Sequence, residues 1–340
     1  MTATSDSILL FEYFTASGEK DKGIISEAEA MLFGLIDDLK DYRLDVVLNE
    51  SYKNIISQYD NVNPILIDGD VISWLKDNAS KFNKAIFIAG ENNNNLYNIT
   101  RILEENNVYI YTSASNACRI ACDKFLTYKE LQGVVPQPKS FKLEIDSKCN
   151  LKNRVPDELS NKKLIIKPLI GVDCEGIIVT DDINDLEEIS LQDSTVIVQE
   201  FIEGEDVSVS LLCGENEIIP ISLNKQFIDI CKDKGKYIGG KLPFESKYKN
   251  EIFDIAIRAC KKVKGLKGFV GVDLLITENH QIYLLEINSR FTTPYVGLKK
   301  IANINIAKTI IEENISDLDI SLDGEVEFRK SGNDLEVRRI

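Results

Sequence analysis

Histidine is almost absent: His280 is the only one in 340 residues. That scarcity argues strongly against a histidine-rich zinc centre and a histidine-centred catalytic triad. Seven cysteines, Cys118, Cys122, Cys149, Cys174, Cys213, Cys231 and Cys260, form no C-x-x-C pair. With no signal-peptide pattern in the opening MTATSD, they are expected to be reduced thiols in a cytoplasmic protein. No apolar run nears the ~20 residues that cross a bilayer, so no membrane partner is expected. Positive charge is scarce as well: 40 Lys and Arg face 55 Asp and Glu, a net charge of −15. Such a surface repels polyanions and argues against a nucleic-acid partner. What remains is a globular composition, 44% hydrophobic and 28% charged, on a chain long enough for two or three subdomains. Its chemistry must rest on Lys, Arg, Asp, Glu and Asn.

The first third alternates strand and helix signals. Apolar runs at 8–11, 46–48, 65–67, 85–89 and 108–111 read as buried strands. Between them, Ala28, Met31, Leu32, Leu35, Ile36 and Leu39 mark one helical face, and Leu96, Ile99, Ile102 and Leu103 another. Asn92 to Asn95 is taken as a loop. Strands separated by helices imply a parallel, doubly wound sheet ending near residue 112. Beyond it, Asp123 can cap a helix running from Lys124 to about Leu131. Strand candidates then follow closely at 163–167, 176–180, 195–201, 206–213 and 217–223, so an α+β portion with antiparallel sheet is expected. One strong helix carries Ile252, Ile255, Ala256, Ala259 and Val263 and ends at Gly265. Two more strands, 269–276 and 281–287, flank a turn. The last twenty residues are charged and weakly patterned, a small hairpin or a loose tail.

The sharpest constellation is Asp273 with Glu286 and Asn288. The latter two lie two apart on a strand and share a face, and Asp273 sits on the neighbouring strand. Two carboxylates and an amide oxygen are hard ligands suited to Mg²⁺ or Mn²⁺, and a solvated polar strip is the alternative. Lys167 interrupts the apolar strand Leu164-Ile165-Ile166, where a buried ammonium needs an anionic partner. Glycines at Gly171 and Gly176 bound a loop able to cradle phosphate or to make a plain hairpin turn. No G-x-x-x-x-G-K-[ST] occurs. Finally, Thr195–Phe201 leads into an acidic, glycine-containing turn ending at Asp206.

The order is a lysine at a helix start, a lysine in a strand, a glycine loop, an acidic hinge, a helix and then D…E-x-N-x-R. It resembles the ATP-grasp family over roughly residues 113–312. The resemblance implies two α+β subdomains clamping ATP behind an N-terminal α/β domain. The expected division is residues 1–112, a small subdomain 113–198, and a large subdomain 199–340 that includes the C-terminal tail. Lys124 and Lys167 then match lysines on the ATP phosphates, and Gly171 to Gly176 the loop covering them. Gln199, Glu200 and Ile202 match the adenine hinge, and Asp206 the acid on the ribose. Asp273, Glu286 and Asn288 match metal ligands, while Arg290, with Lys167, serves phosphoryl transfer. Gly271 stands where D-alanine ligases have a catalytic arginine, which disfavours that branch.

A narrower signature is similar to the archaeal tyramine–glutamate ligases of methanofuran biosynthesis. It comprises Phe11–Phe14 with Ser17-Gly18, Ser26-Glu27 through Leu32, Tyr237–Gly240, and Arg290–Leu298. It implies an ADP-forming carboxylate–amine ligase acting through an acyl-phosphate, with an amino acid and an amine as partners. Tyr237, Phe291 and Tyr295 become candidates to pack against the amine's ring. Two alternatives stay open: another ATP-grasp amino-acid or peptide ligase, and a nucleotide-binding module without turnover. Homo-oligomerisation stays open too.

Overall fold

The computed structural model describes residues 7–145, 155–171, 176–181, 195–231, 234–316 and 318–340. Among the described residues sixteen strands make three sheets, and each sheet draws on one stretch of the chain.

The first sheet holds β1 (Ile8–Glu12), β2 (Leu44–Asn49), β3 (Val62–Ile67), β4 (Lys84–Ile88) and β5 (Tyr109–Ile110), all parallel, in the order β3-β2-β1-β4-β5. Its connections carry α1 (Tyr13–Ser17), α2 (Lys22–Asp38), α3 (Lys53–Ile56), α4 (Val71–Asn78) and α5 (Asn95–Glu105). Alternation along β1 explains the doubly wound packing. Ile8 and Leu10 face α2 through Leu32, Leu35 and Ile36. Leu9 and Phe11 face α4 and α5 through Leu75, Leu96 and Ile99. Asp21 caps α2 by accepting from the Gly23 and Ile24 amides. The expected parallel sheet is therefore present. The asparagine run differs: Asn92–Asn94 is a single 3₁₀ turn entering α5.

Two helices follow, α6 (Ser115–Cys122) and α7 (Lys124–Glu130), separated by Asp123. Asp123 caps α7 through the amides of Phe125 and Leu126, as its sequence position predicts. The second sheet is antiparallel, built from β6 (Ser140–Glu144), β7 (Leu164–Pro168), β8 (Ile178–Thr180) and β9 (Thr195–Glu200) in the order β6-β9-β7-β8.

The third sheet, also antiparallel, runs β14-β13-β10-β11-β12-β15-β16. Its strands are β10 (Glu205–Cys213), β11 (Ile218–Cys231), β12 (Lys234–Leu242), β13 (Gly268–Ile276), β14 (Ile282–Asn288), β15 (Val326–Ser331) and β16 (Asp334–Arg339). Helices α8 (Lys249–Lys262), α9 (Pro294–Ile301) and α10 (Ile306–Glu312) complete the chain. The α8 face of this sheet carries an apolar core, with Val207, Val209 and Leu211 of β10 against Ile252, Ile255 and Ala259. The opposite face carries Ser208 and Ser210, both buried, and forms the floor of the site.

The weakly patterned tail is the hairpin β15–β16, and Phe328 in it is fully buried. Gly239 and Gly240 read as a turn in isolation, but they lie within β12, pressed between β11 and β15. A Cβ on Gly239 would sit 2.1 Å from the Phe328 carbonyl oxygen, and its φ of +145° disfavours any side chain. Gly239→Ala is expected to destabilise the protein by more than about 2 kcal/mol, read as a lowered urea midpoint with an unchanged m-value.

Candidate ATP and substrate site

The second and third sheets border one cavity of about 200 Å³, which Glu27 of α2 also lines. Its floor is the third sheet. Asp273 lies directly opposite Glu286 in the β13–β14 register, and Gly271 lies opposite Asn288. The register shifts after Asp273, so Leu285 and Glu286 are both turned to the cavity while Leu284 and Ile287 stay in the α8 core. A bulge beside a site re-aims a side chain in this way. The polar strip is therefore an enclosed surface and not a solvated face.

Two half-buried carboxylates held together repel each other. Burial and the Glu286 charge push the Asp273 carboxyl up to about 7. Hydrogen bonds from Asn288 Nδ2 to Oδ2 and from Gln226 Nε2 to Oδ1, both 3.0 Å, and the Arg290 charge oppose that rise. Burial also raises Glu286, but Lys124, Lys167 and Arg290 outweigh it and hold that carboxyl below its ordinary range. This pair is short of positive charge on one side, which suits a cation. Among the described residues no cluster of three or more His, Cys, Asp or Glu side chains could hold a metal. The donor set is accordingly two carboxylates and the Asn288 amide. That is ample for Mg²⁺ or Mn²⁺, whose remaining positions go to phosphate oxygens and water. The residues fit the ion.

Lys124 is the first residue of α7, and its Nζ lies 3.2 Å from Glu286 Oε2 and donates to the Gly171 carbonyl at 3.1 Å. Burial works against its charge, yet Glu286 and Glu91 keep its pKa above the ordinary lysine value. The helix start thereby ties the sheet floor to the glycine segment. Lys167 enters from β7, where alternation sends Leu164 and Ile166 into the small-sheet core and turns Ile165 and Lys167 to the cavity. The expected anionic surroundings are present, since its charge acts on both Glu286 and Asp206. Of the glycine loop, Gly171 lines the cavity and Gly176 does not; residues 172–175 lie outside the described residues.

Gln199, Glu200 and Ile202 all line the cavity. Gln199 Nε2 donates to Ser140 Oγ at 2.8 Å. The Glu200 carboxylate is engaged by the Lys139 amide and by Lys162. The amides of Glu200 and Phe201 donate to the carbonyls of Lys139 and Lys163. The hinge is thus anchored to β6 and to the segment entering β7. Asp206 opens β10, and burial raises its carboxyl to about 6, with Lys167 pulling the other way.

Arg290 completes the cavity wall, its guanidinium bonded to Glu91 of the first sheet's loops. Sequence reasoning missed Glu91, Ser208 and Gln226. The alternation Val207-Ser208-Val209-Ser210 was the available signal for the second. Nothing local marks Glu91, because its role exists only once the first sheet docks. Glu27 also lines the cavity, accepts from Thr293 Oγ1 and pairs with Lys330 at 2.8 Å. Of the three aromatic candidates, only Tyr237 reaches the cavity. Phe291 and Tyr295 are fully buried, packed on Phe269 and each other, so they are core residues and not ring contacts for a substrate. Ser26 lies inside α2 rather than at its cap and accepts from the Leu335 amide.

Comparison with known proteins agrees with this geometry. The ATP-grasp domain family matches residues 121–294. A tyramine–L-glutamate ligase of Methanocaldococcus fervens is 35% identical over 86% of this chain and 89% of its own length. Its counterpart in Methanocaldococcus jannaschii is 33% identical over 94% and 92%. The crystal structure of an ATP-grasp superfamily protein from Archaeoglobus fulgidus superposes with a TM-score of 0.75 at 25% identity, covering 99% of this chain and all of that one. A domain match across half the chain, near end-to-end relatives above 30% identity and a lysine-lined cavity over paired carboxylates lead to one assignment: this chain belongs to the ATP-grasp family.

Proposed function

We propose that the chain joins the γ-carboxyl of L-glutamate to the amine of tyramine, consuming ATP and releasing ADP and phosphate. The observation that carries this reading is one cavity in which Lys124, Lys167 and Arg290 surround the half-buried Asp273–Glu286 pair. The two tyramine–L-glutamate ligases aligned over most of the chain supply the substrate pair.

The carboxylate oxygen attacks the γ-phosphorus in line, the bond to ADP breaks, and an acyl-phosphate results. The amine nitrogen then displaces phosphate, giving the amide after losing a proton. Lys124 and Lys167 hold the nucleotide phosphates and spread their charge, while Arg290 faces the transferred phosphoryl group and the reacting carboxylate. Mg²⁺ or Mn²⁺ on Asp273, Glu286 and Asn288 would neutralise the phosphate oxygens further. Gln199, Glu200 and Ile202 flank the adenine, and Asp206 receives the ribose hydroxyls. Tyr237, with Glu27 and Thr293 beside it, forms the wall for the aromatic amine. A small molecule in a shielded cavity reconciles a polyanionic substrate with a chain of net charge −15. The cytoplasmic setting expected from the sequence suits Cys118, Cys122, Cys213 and Cys260, which are free and buried.

Incubation with ATP, Mg²⁺, glutamate and a panel of amines, followed by mass measurement, tests the specificity. The expected product is γ-glutamyltyramine; amide formation with every amine except tyramine would refute it. Glu286→Gln should lower glutamate- and amine-dependent ADP release at least about a hundredfold, because both a metal ligand and the partner of Lys124 lose charge. Asp206 gives a pH signature. Its folded pKa, about 6, stands above the ordinary aspartate value of 3.8, so ionisation costs stability. That cost is nil below about pH 4, grows as pH rises through 6 and is then constant. Asp206→Asn should therefore exceed the wild type in stability by on the order of 2 kcal/mol at pH 8, with the gap closing near pH 4 in urea titrations.

A further inference from the structure

Arg290 springs from the third sheet, yet its guanidinium is held by the first. Nε donates to Glu91 Oε1 at 2.8 Å and to Oε2 at 3.0 Å, and Nη2 donates to Oε2 at 2.8 Å. Nη1 donates to the Phe291 carbonyl at 3.2 Å. A forked bond of this kind sets both the plane and the rotation of the guanidinium. Glu91 is 5% exposed and lies in the loop after β4, at the carboxyl end of the parallel strands. That loop has an uncommon shape: Asn93 and Asn94 take φ of 55° and 57°, left-handed values that asparagine tolerates better than most residues. The Asn94 amide donates to the Glu91 carbonyl at 2.9 Å and the Leu96 amide to that of Gly90 at 3.1 Å. The left-handed pair follows two residues after Glu91, whose own backbone is right-handed helical, so the unusual turn lies next to the residue that presents the carboxylate. Close by, the Arg290 charge acts on Asp273 and Glu286, which are the alternative acceptors for a released guanidinium.

We propose that Glu91 is a positioning residue for Arg290. It turns the guanidinium toward the transferred phosphoryl group and keeps it off the Asp273–Glu286 pair, so that docking of the first sheet completes the site. The effect on phosphoryl transfer rests on the ligase reading; the effect on the carboxylate pair rests on the forked Glu91–Arg290 bond and on the Arg290 charge acting at that pair.

The test uses the full chain with Glu91→Gln, which preserves size and removes charge. In the ligase assay kcat should fall about 10–100-fold, with KM for glutamate and tyramine changed less than threefold. Mn²⁺ titration in the presence of ATP should show about tenfold weaker binding, since Arg290 then competes for the carboxylates. Adding Arg290→Ala to Glu91→Gln should restore Mn²⁺ affinity to that of Arg290→Ala alone and lower kcat no further than that single change. A merely structural Glu91 would lower the melting temperature, leave Mn²⁺ affinity unmoved and add to Arg290→Ala; that result overturns the proposal. If the wild type makes no glutamyl amide, the ligase reading fails separately, and loss and restoration of Mn²⁺ affinity still decide the role of Glu91. Should Glu91→Gln not fold, Glu91→Asp keeps the charge but shortens the reach. Its kcat should fall at least fivefold, and a wild-type kcat there refutes the idea.

Discussion

Two carboxylates face each other across a pair of antiparallel strands, and both are half-buried at the floor of a cavity. Asp273 and Glu286 are direct register partners on β13 and β14. Their mutual repulsion is too costly to leave uncompensated in an enclosed cavity. Every nearby cation answers that demand from a different part of the chain. Lys124 comes from a helix start, Lys167 from the small sheet and Arg290 from the strand end of the large one. The charge acting on Glu286 is therefore what brings these elements to a common point, and the nucleotide would occupy the space they enclose. Glu91 extends the chain of compensation to the first sheet by taking the Arg290 fork. An alternation of acid and base thus runs through the centre of the molecule.

This arrangement explains how an acidic protein can hold ATP. Surface charge acts through water and is screened within about 10 Å at ordinary ionic strength. Inside the cavity the lysines and Arg290 act at short range and with little solvent between. The same enclosure raises Asp206 and Asp273 to about 6 and 7. Carboxylates are kept there against their own solvation, which is a stability cost expected where function needs the charge.

How much of this was legible beforehand depended on whether a pattern was local. The parallel sheet was readable because its strands are continuous apolar runs separated by helical periodicity, as in Ala85–Ala89 followed by Leu96, Ile99 and Leu103. Asp123 was readable as a cap because capping reaches only two or three residues. Lys167 stood out because one charge interrupts an apolar strand. By contrast, β12 contains Gly235, Gly239 and Gly240 and has no strand-like pattern; it exists because β11 and β15 approach from both sides. Phe291 and Tyr295 are indistinguishable in sequence from ring contacts, and only their burial against Phe269 assigns them to the core. Glu91 sits beside a run of asparagines, and its bonded partner, Arg290, comes 199 residues later.

The C-terminal hairpin shows why nucleotide use was easier to read than substrate choice. The residues assigned to ATP lie within residues 124–290, in segments whose order is shared across the family. The wall opposite them is assembled from distant pieces. Glu27 of α2 accepts from Thr293 and pairs with Lys330 of β15, whose ammonium lies 5.6 Å from the centre of the Tyr237 ring. Ser26 takes the Leu335 amide and binds the hairpin to the same helix. Phe328 fills the core beneath, against the two glycines that admit β15. The beginning and end of the chain therefore meet at the cavity edge, and α2 and β15 share a single ion pair there. A change of substrate would require coordinated change in these separated stretches while the phosphate-facing segments stayed as they are. The wall proposed for the amine is a product of tertiary docking, so it leaves little trace in any one stretch of sequence.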